Sequence, residues 1–378
     1  MILNEDQRMV RDMARAFAQE KLAPHGEAWD KAGAFPEDVL REMGELGFFG
    51  MTVPEQWGGA GMDYVSYALA LMEVAAGNGG LSTVMSVNNA PVCAVLLNNG
   101  NDAQKEEFLK PLASGQMIGA FCLTEPQAGS DAGMLKSRAR RTNSGYVLSG
   151  TKQFITSGKI AGAAIVFAVT DPDAGKKGIS AFVVRTDAPG YTVAKTEDKL
   201  GQKASDTCSI MFDDMEVPAE ALIGSEGEGY KIALANLEAG RIGIAAQSVG
   251  MAQAALDYAI DYAKEREAFG KPIMQHQAVG FRLADMATRL EAARLLVLQA
   301  AALRDSGVPC LKEACMAKLF ASEAAEEICS AAIQTLGGYG YLSDYPVERI
   351  YRDVRVCQIY EGTSDIQRLI ISREMAAA

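Results

Sequence analysis

The spacing of apolar residues changes twice along this 378-residue chain, and that double change limits what it can fold into. Up to about residue 119 the period is helical. Pro36 opens the run FPEDVLREMGELGFFGM, in which Val39, Met43 and Leu46 share one face. After a Gly-rich break at 58–61, YVSYALALMEVAA resumes a helical, mostly buried pattern. From about 120 to 222 the runs become short and β-branched: GYVLSG, AAIVFAVT, GISAFVVR and CSIMFDDMEV. Turn clusters such as DPDAGKKG and TDAPG separate them, which predicts an antiparallel barrel or sandwich. From about 223 to 378 helical spacing returns. Leu234, Leu237, Ile244 and Met251 form one stripe, and Leu283, Met286, Leu290, Ala293 and Val297 another. Long helices with short links predict an antiparallel bundle. The expectation is an α+β protein with a helical unit (1–119), a β unit (120–222) and a helical bundle (223–378).

Charge and composition narrow the partners. A formal net charge of −12 offers no global positive field to gather phosphates, so nucleic acid is not an expected partner. The seven cysteines are odd in number and include no CxxC, which argues against a disulfide framework. With only His25 and His276 beside them, no metal is expected. No stretch reads as the roughly 20 apolar residues of a membrane helix, so insertion is not expected. The opening MILNEDQRMV lacks the basic-then-apolar layout of a secretory signal. The expected place is the cytoplasm of a bacterium, or the mitochondrial matrix for a processed eukaryotic chain.

Neither a Walker A loop nor a GxGxxG after a strand is present. The chemistry-bearing segments lie elsewhere. FCLTEPQAGSDAG (121–133) sits at the helix-to-strand transition; it is either a turn-rich linker or a loop that presents hydroxyls and N–H groups to a ligand. In GTKQFITSG (150–158), Phe154 and Thr156 fall on one side of a strand, as a flat ring with a polar edge would need. In REAFGKPIMQHQ (266–277), Arg266 stands where a helix breaks at Gly270 and Pro272; it either meets the helix dipole or grips a pyrophosphate. Near the end, Gly337 and Gly338 cap one helix, and another starts after Ser364 with Gln367 as capping-box partner. Glu361 then lies just before the new helix, where a carboxylate either complements the dipole or acts as a base.

Together these segments resemble one family from end to end, the acyl-CoA dehydrogenases. FCLTEPQAGSD, KQFITSG, GRIGIAAQ (240–247), REAFGKPI with HQ, and QTLGGYGY through IYEGTSDIQRLIISRE stand in that family's order. The resemblance implies the acyl-CoA dehydrogenase fold, with an N-terminal helical domain, a middle β-barrel domain and a C-terminal four-helix bundle. It also implies FAD between the last two, commonly in a homotetramer built as a dimer of dimers. Phe121, Leu123, Thr124, Gly129 and Ser130 match the flavin-side loop, and Phe154 and Thr156 the strand beside the flavin ring. Arg266, Phe269 and Gln277 match groups that hold the diphosphate and adenine of a neighbouring subunit's FAD. Gln334, Gly338, Thr363 and Asp365 match further contacts to the dinucleotide. The family's catalytic base matches Glu361; in branches that carry it before the Arg of the GRIG-like motif, the matching residue here is Gly240. Ser130, Glu238, Arg241 and Gly362 match positions lining the acyl-CoA site.

The implied reaction makes strong demands. A thioester α-proton is weakly acidic, and a carboxylate removes it only if the developing enolate oxygen is stabilised. In the family a flavin ribityl hydroxyl and the main-chain N–H of the catalytic Glu do this, while the flavin takes the β-hydride. The implied product is a trans-2-enoyl-CoA, and the implied electron acceptor an electron-transferring flavoprotein. Likeness to short-chain and short-branched-chain members sets an expected substrate of about four to six carbons, since apolar pockets separate single methylenes modestly. Ser82 stands where the glutaryl-CoA branch carries an Arg, and Val87 near the closed end of the pocket. An oxygen-using acyl-CoA oxidase and a flavin-free binding protein are the alternatives.

Overall fold

Asn4 accepts from the Gln7 main-chain N–H while the Gln7 side chain reaches back to Asn4 N–H, and this reciprocal cap starts the helix Glu5–Phe17. The structure, a computed structural model, describes residues 2–377. In the helix Glu37–Glu45, Val39 and Met43 are buried as their spacing predicts. Leu46, expected on the same face, lies past the helix end and is 37% exposed, because Gly47 at φ +76° turns the chain there.

The segment Gly79–Asn99 corrects the membrane reading. By length and composition it is apolar enough to cross a bilayer, yet 89% of its apolar window is buried inside the fold. Asn88 and Asn89 sit in its middle. Their side-chain amides donate to the carbonyls of Phe49, Leu112, Phe48 and Met85 at 2.7–3.0 Å, so the polar interruptions are satisfied by core backbone.

Eight strands form one sheet: β1 (Gly119–Cys122), β2 (Arg138–Arg141), β3 (Gly145–Thr156), β4 (Ala163–Val169), β5 (Ile179–Arg185), β6 (Tyr191–Thr196), β7 (Thr207–Pro218) and β8 (Leu222–Ile223). The order is β6-β7-β3-β2-β4-β5-β8, with β1 beside β4. Most pairs are antiparallel, but β1 runs parallel to β4, and β2 meets β4 in parallel at Arg138 and Val169. The sheet curls around a core of Ala120, Leu148, Val166, Phe182 and Phe212. Its end strands β6 and β8 do not pair, so the barrel stays open. Strand β4 explains its unbroken apolar sequence: Ala164, Val166 and Ala168 face that interior, while Ala163, Ile165 and Phe167 face the helices around Leu96, Leu112 and Ile232.

The last block contributes the helices Gly229–Glu265, Gln277–Asp305, Leu311–Leu336, Pro346–Val354 and Ser364–Ala377. Leu283, Met286, Leu290, Ala293 and Val297 are all buried, as their stripe predicts. The other stripe holds only in part: Ile244 and Met251 are buried, Leu237 is half-buried, and Leu234 is 41% exposed. The first turns of that helix pack Ile232 and Ala233 against the β unit, whereas Ile242 onward packs among helices, so no one face serves its whole length. A single apolar core joins Val10, Phe17, Met43 and Leu71 to Ile242, Val249, Leu283, Val297 and Ile328. The first and third blocks are thus one helical body with the β unit inserted between them in sequence.

Candidate active site

The chain bends sharply before its last helix, where Glu361 and Gly362 both take left-handed backbone conformations, φ +54° and +87°. A glutamate there is strained and persists only if its surroundings over-determine it. Two buried side chains do so. Gln367 Nε2 donates to the carbonyls of Glu361 (3.1 Å) and Gly362 (2.9 Å), and Lys318 Nζ donates to the Gly362 carbonyl at 2.7 Å. This corrects the capping expectation for Gln367. The cap is Thr363, whose Oγ1 accepts from Ile366 N–H at 3.4 Å, and Gln367 turns inward instead.

The Glu361 side chain points at the helix Gly229–Glu265. A Cβ built on Gly240 would stand 2.6 Å from Glu361 Oε2, so the carboxylate fills the space a side chain at 240 would take. Glu361 as a residue is half-buried, but Oε2 is closed off from solvent and has no hydrogen-bond partner. Arg241 is buried beside it, with its Nε also unpartnered. Burial pushes the Glu361 carboxyl up to about 7, against the pull of Arg241 and Lys318. Among the described residues its main-chain N–H joins none of the loop hydrogen bonds. An unpartnered carboxylate oxygen and a buried guanidinium therefore lie side by side at this bend.

The 121–130 loop is fixed to β3 by a buried ion pair that sequence reading missed. Lys152 Nζ lies 2.7 Å from Glu125 Oε1 with both side chains out of solvent, and it also donates to the Leu123 carbonyl at 3.1 Å. Glu125 further accepts from the main-chain N–H groups of Lys136 (2.6 Å) and Ser137 (3.0 Å). Burial alone would raise its carboxyl, but Lys152 and these donors reverse that and hold it down at about 2. The only sequence signal was an acid in LTEP and a lysine in TKQ, whose pairing local rules do not predict. Gln153 N–H to the Thr124 carbonyl (2.8 Å) completes the join.

Phe121 is half-buried with its ring 5.0 Å from that of Phe167; Leu123 is buried and Thr124 half-buried. Gly129 and Ser130 are exposed, and a Cβ on Gly129 would meet nothing within 4 Å. Phe154 corrects the regular-strand expectation. A bulge between Lys152 and Ile155 puts it at φ +59° and leaves it 64% exposed, while Thr156 rejoins the ladder opposite Thr207.

A second group lies far away. Arg266 caps the far end of the long helix, 25 residues beyond Arg241 (266 − 241), which is about 37 Å at 1.5 Å per residue. Its guanidinium lies 5.6 Å from the Tyr339 ring centre, on the wall of a cavity of about 430 Å³ shared with Thr335, Gly337 and Gly338. Phe269, at φ +52°, is 97% exposed, and Gln277 and Gln334 are also exposed. These residues do not reach Glu361 within one chain. Glu238 pairs with Arg304 at 3.0 Å on the wall of another cavity, beside Tyr64 and Asn98. Thr363 is half-buried and Asp365 exposed at the start of the final helix.

Sequence profiles of the acyl-CoA dehydrogenase N-terminal, middle and C-terminal domains match residues 4–116, 120–215 and 227–376. The chain belongs to the acyl-CoA dehydrogenase family. An acyl-CoA dehydrogenase of Bacillus subtilis is 51% identical over 99% of this chain and 98% of its own length. A mitochondrial short-chain specific acyl-CoA dehydrogenase of Rattus norvegicus is 48% identical, covering 98% of this chain and 90% of its own. The solved butyryl-CoA dehydrogenase of Megasphaera elsdenii superposes with a TM-score of 0.96 at 41% identity, over 100% of this chain and 99% of that one.

The chain is an oxidoreductase, and its cofactor is FAD. Its own residues fit that group. Phe154 offers a bare aromatic ring next to Thr156, Gly129 leaves open space, and Arg266 has no carboxylate partner among the described residues. Because Gly240 makes room for the acid, Gly240→Ala should leave FAD bound and, if the Glu361 carboxylate takes part in the reaction, slow anaerobic flavin reduction by about 10²-fold, the cost of an ångström of displacement. A rate within threefold of the parent would refute the contact's importance.

Proposed function

We propose that the protein dehydrogenates short saturated acyl-CoA thioesters to trans-2-enoyl-CoA, with Glu361 as the α-proton acceptor. The observation that carries this is the unpartnered Oε2 of Glu361 against the bare Gly240 and beside Arg241. Bound FAD supplies the acceptor for the β-hydride. Glu361 holds its oxygen free to take a proton, and its main-chain N–H, which makes no hydrogen bond among the described residues, is free to bond the thioester oxygen as charge develops there. Gln367 and Lys318 keep that N–H and the carboxylate on one rigid bend.

Phe121, Leu123, Thr124, Gly129, Ser130, Phe154 and Thr156 form the flavin-ring side in this reading. Ser130, Glu238, Arg241 and Gly362 line the acyl-CoA path, and Thr363 and Asp365 serve the dinucleotide. The separation of about 37 Å along one helix supports Arg266, Phe269, Gln277, Gln334 and Gly338 serving the FAD of a neighbouring subunit, in a homotetramer. The resemblance supports an electron-transferring flavoprotein as acceptor.

Apolar packing near the loop supports a short substrate. Val87, Phe121 and Leu237 pack on one apolar cluster, which suits a short chain, straight or branched. Ser82 is buried and bonded to the Gly79 carbonyl (2.7 Å) and Gln247 (2.8 Å), a neutral setting that would not receive a distal carboxylate. Anaerobic bleaching of the flavin by a panel of acyl-CoAs tests the reading. Butyryl-CoA and isobutyryl-CoA should bleach fastest, and glutaryl-CoA and long chains slowly. Equal bleaching by palmitoyl-CoA would sink the size assignment, and hydrogen peroxide release without a carrier protein would mark an oxidase.

A further inference from the structure

We infer that Lys318 is a positioning residue for this reaction, the buried counter-charge that sets the proton affinity of Glu361 while holding its loop. The inference rests on Glu361 being the base. Lys318 lies within the helix Leu311–Leu336 and is fully buried, and its Nζ donates to the Gly362 carbonyl at 2.7 Å. Among the described residues no carboxylate lies within ion-pair distance of it. A buried ammonium without a counter-charge is costly, so its neighbours matter.

The groups facing Lys318 are Cys357, Glu361, Arg241 and Cys315; those facing Glu361 are Arg241 and Lys318, with the Tyr67 phenol alongside. Burial pushes the thiols up, Cys315 to about 11, and raises the Tyr67 phenol, so these stay neutral. Among the described residues that face Lys318, Glu361 is therefore the anion. Burial pulls the Lys318 ammonium down to about 8, with Cys357 and Glu361 opposing, which leaves it charged where the base works.

The two groups do not bond directly: the hydrogen bond of Lys318 Nζ goes to the Gly362 carbonyl, and among the described residues no Glu361 oxygen lies within ion-pair distance of it. A cation acting from a short distance favours the carboxylate without occupying the lone pair that must take the proton. A direct hydrogen bond would occupy it. Gln367, neutral and buried, shares the task of holding the two carbonyls but adds no charge. The pair thus separates geometry from electrostatics within one loop.

The test is the pH dependence of anaerobic flavin bleaching by butyryl-CoA, measured on the holoenzyme and on Lys318→Gln, Lys318→Arg and Gln367→Leu. Lys318→Gln keeps a donor but loses the charge, and its low-pH limb should move up by about one pH unit. Lys318→Arg should keep the limb in place. Gln367→Leu should slow bleaching without moving it. A Lys318→Gln limb coincident with the parent's overturns the inference. So does a displaced limb in Lys318→Arg, which decides the matter if the Gln variant does not retain flavin. Normal bleaching by Glu361→Gln is a different failure, and would remove the base assignment itself.

Discussion

Glu361→Gln should suppress flavin bleaching by butyryl-CoA about 10²- to 10⁴-fold, the usual worth of a positioned general base, with FAD still bound. The substitution keeps the side chain's size, so the space against Gly240 stays filled and the bend at 361–362 keeps its Gln367 and Lys318 anchors. What is lost is a basic oxygen. No neighbour can stand in: Lys318 is a cation donating to Gly362, Arg241 is a guanidinium, and burial raises the Tyr67 phenol. The parent itself should lose activity as pH falls through about 7, because burial holds the carboxyl there and the base must be deprotonated. Stopped-flow bleaching under anaerobic conditions measures both. A Glu361→Gln rate within tenfold of the parent would end the proposal.

Lys152→Met should destabilise the fold by about 3–5 kcal/mol, the cost of leaving a buried charge uncompensated. Glu125 sits fully out of solvent, and its other partners are two main-chain N–H groups that do not cancel its charge. With the 121–130 loop on the flavin side as proposed, the effect should reach the cofactor, since this pair fixes that loop to β3. Reduced FAD retention should accompany a lower urea midpoint. The pH sign is definite. The folded Glu125 carboxyl lies near 2, below its unfolded value of about 4.3, so its contribution is present above that unfolded value and lost as pH falls toward 2. Removing both charges with Glu125→Leu and Lys152→Met together should recover part of the loss. A single variant within 1 kcal/mol of the parent, roughly the size of a surface ion pair, would show the pair to be incidental.

The sequence by itself determined the order of helical and β blocks, because hydrophobic period reflects which local face is buried. The stripe Leu283–Val297 and the two-faced run at β4 came through for that reason. It also placed Glu361 just ahead of a helix, since a turn and a helix start are written in a few adjacent residues. Local patterns failed where a tertiary neighbour outbid them. Leu46 and Leu234 are exposed at the end or the flank of their helices, Phe154 sits on a bulge, and Gln367 serves the loop instead of a cap. Only the tertiary structure decided that the first and third blocks share one core, and that Gly240 stands against an acid 121 residues later (361 − 240). Lys318 and Lys152 find their partners the same way. Period and capping act over a turn or two of chain, whereas the meeting of distant groups depends on which faces the whole fold can bury together, and no short stretch of sequence contains that information.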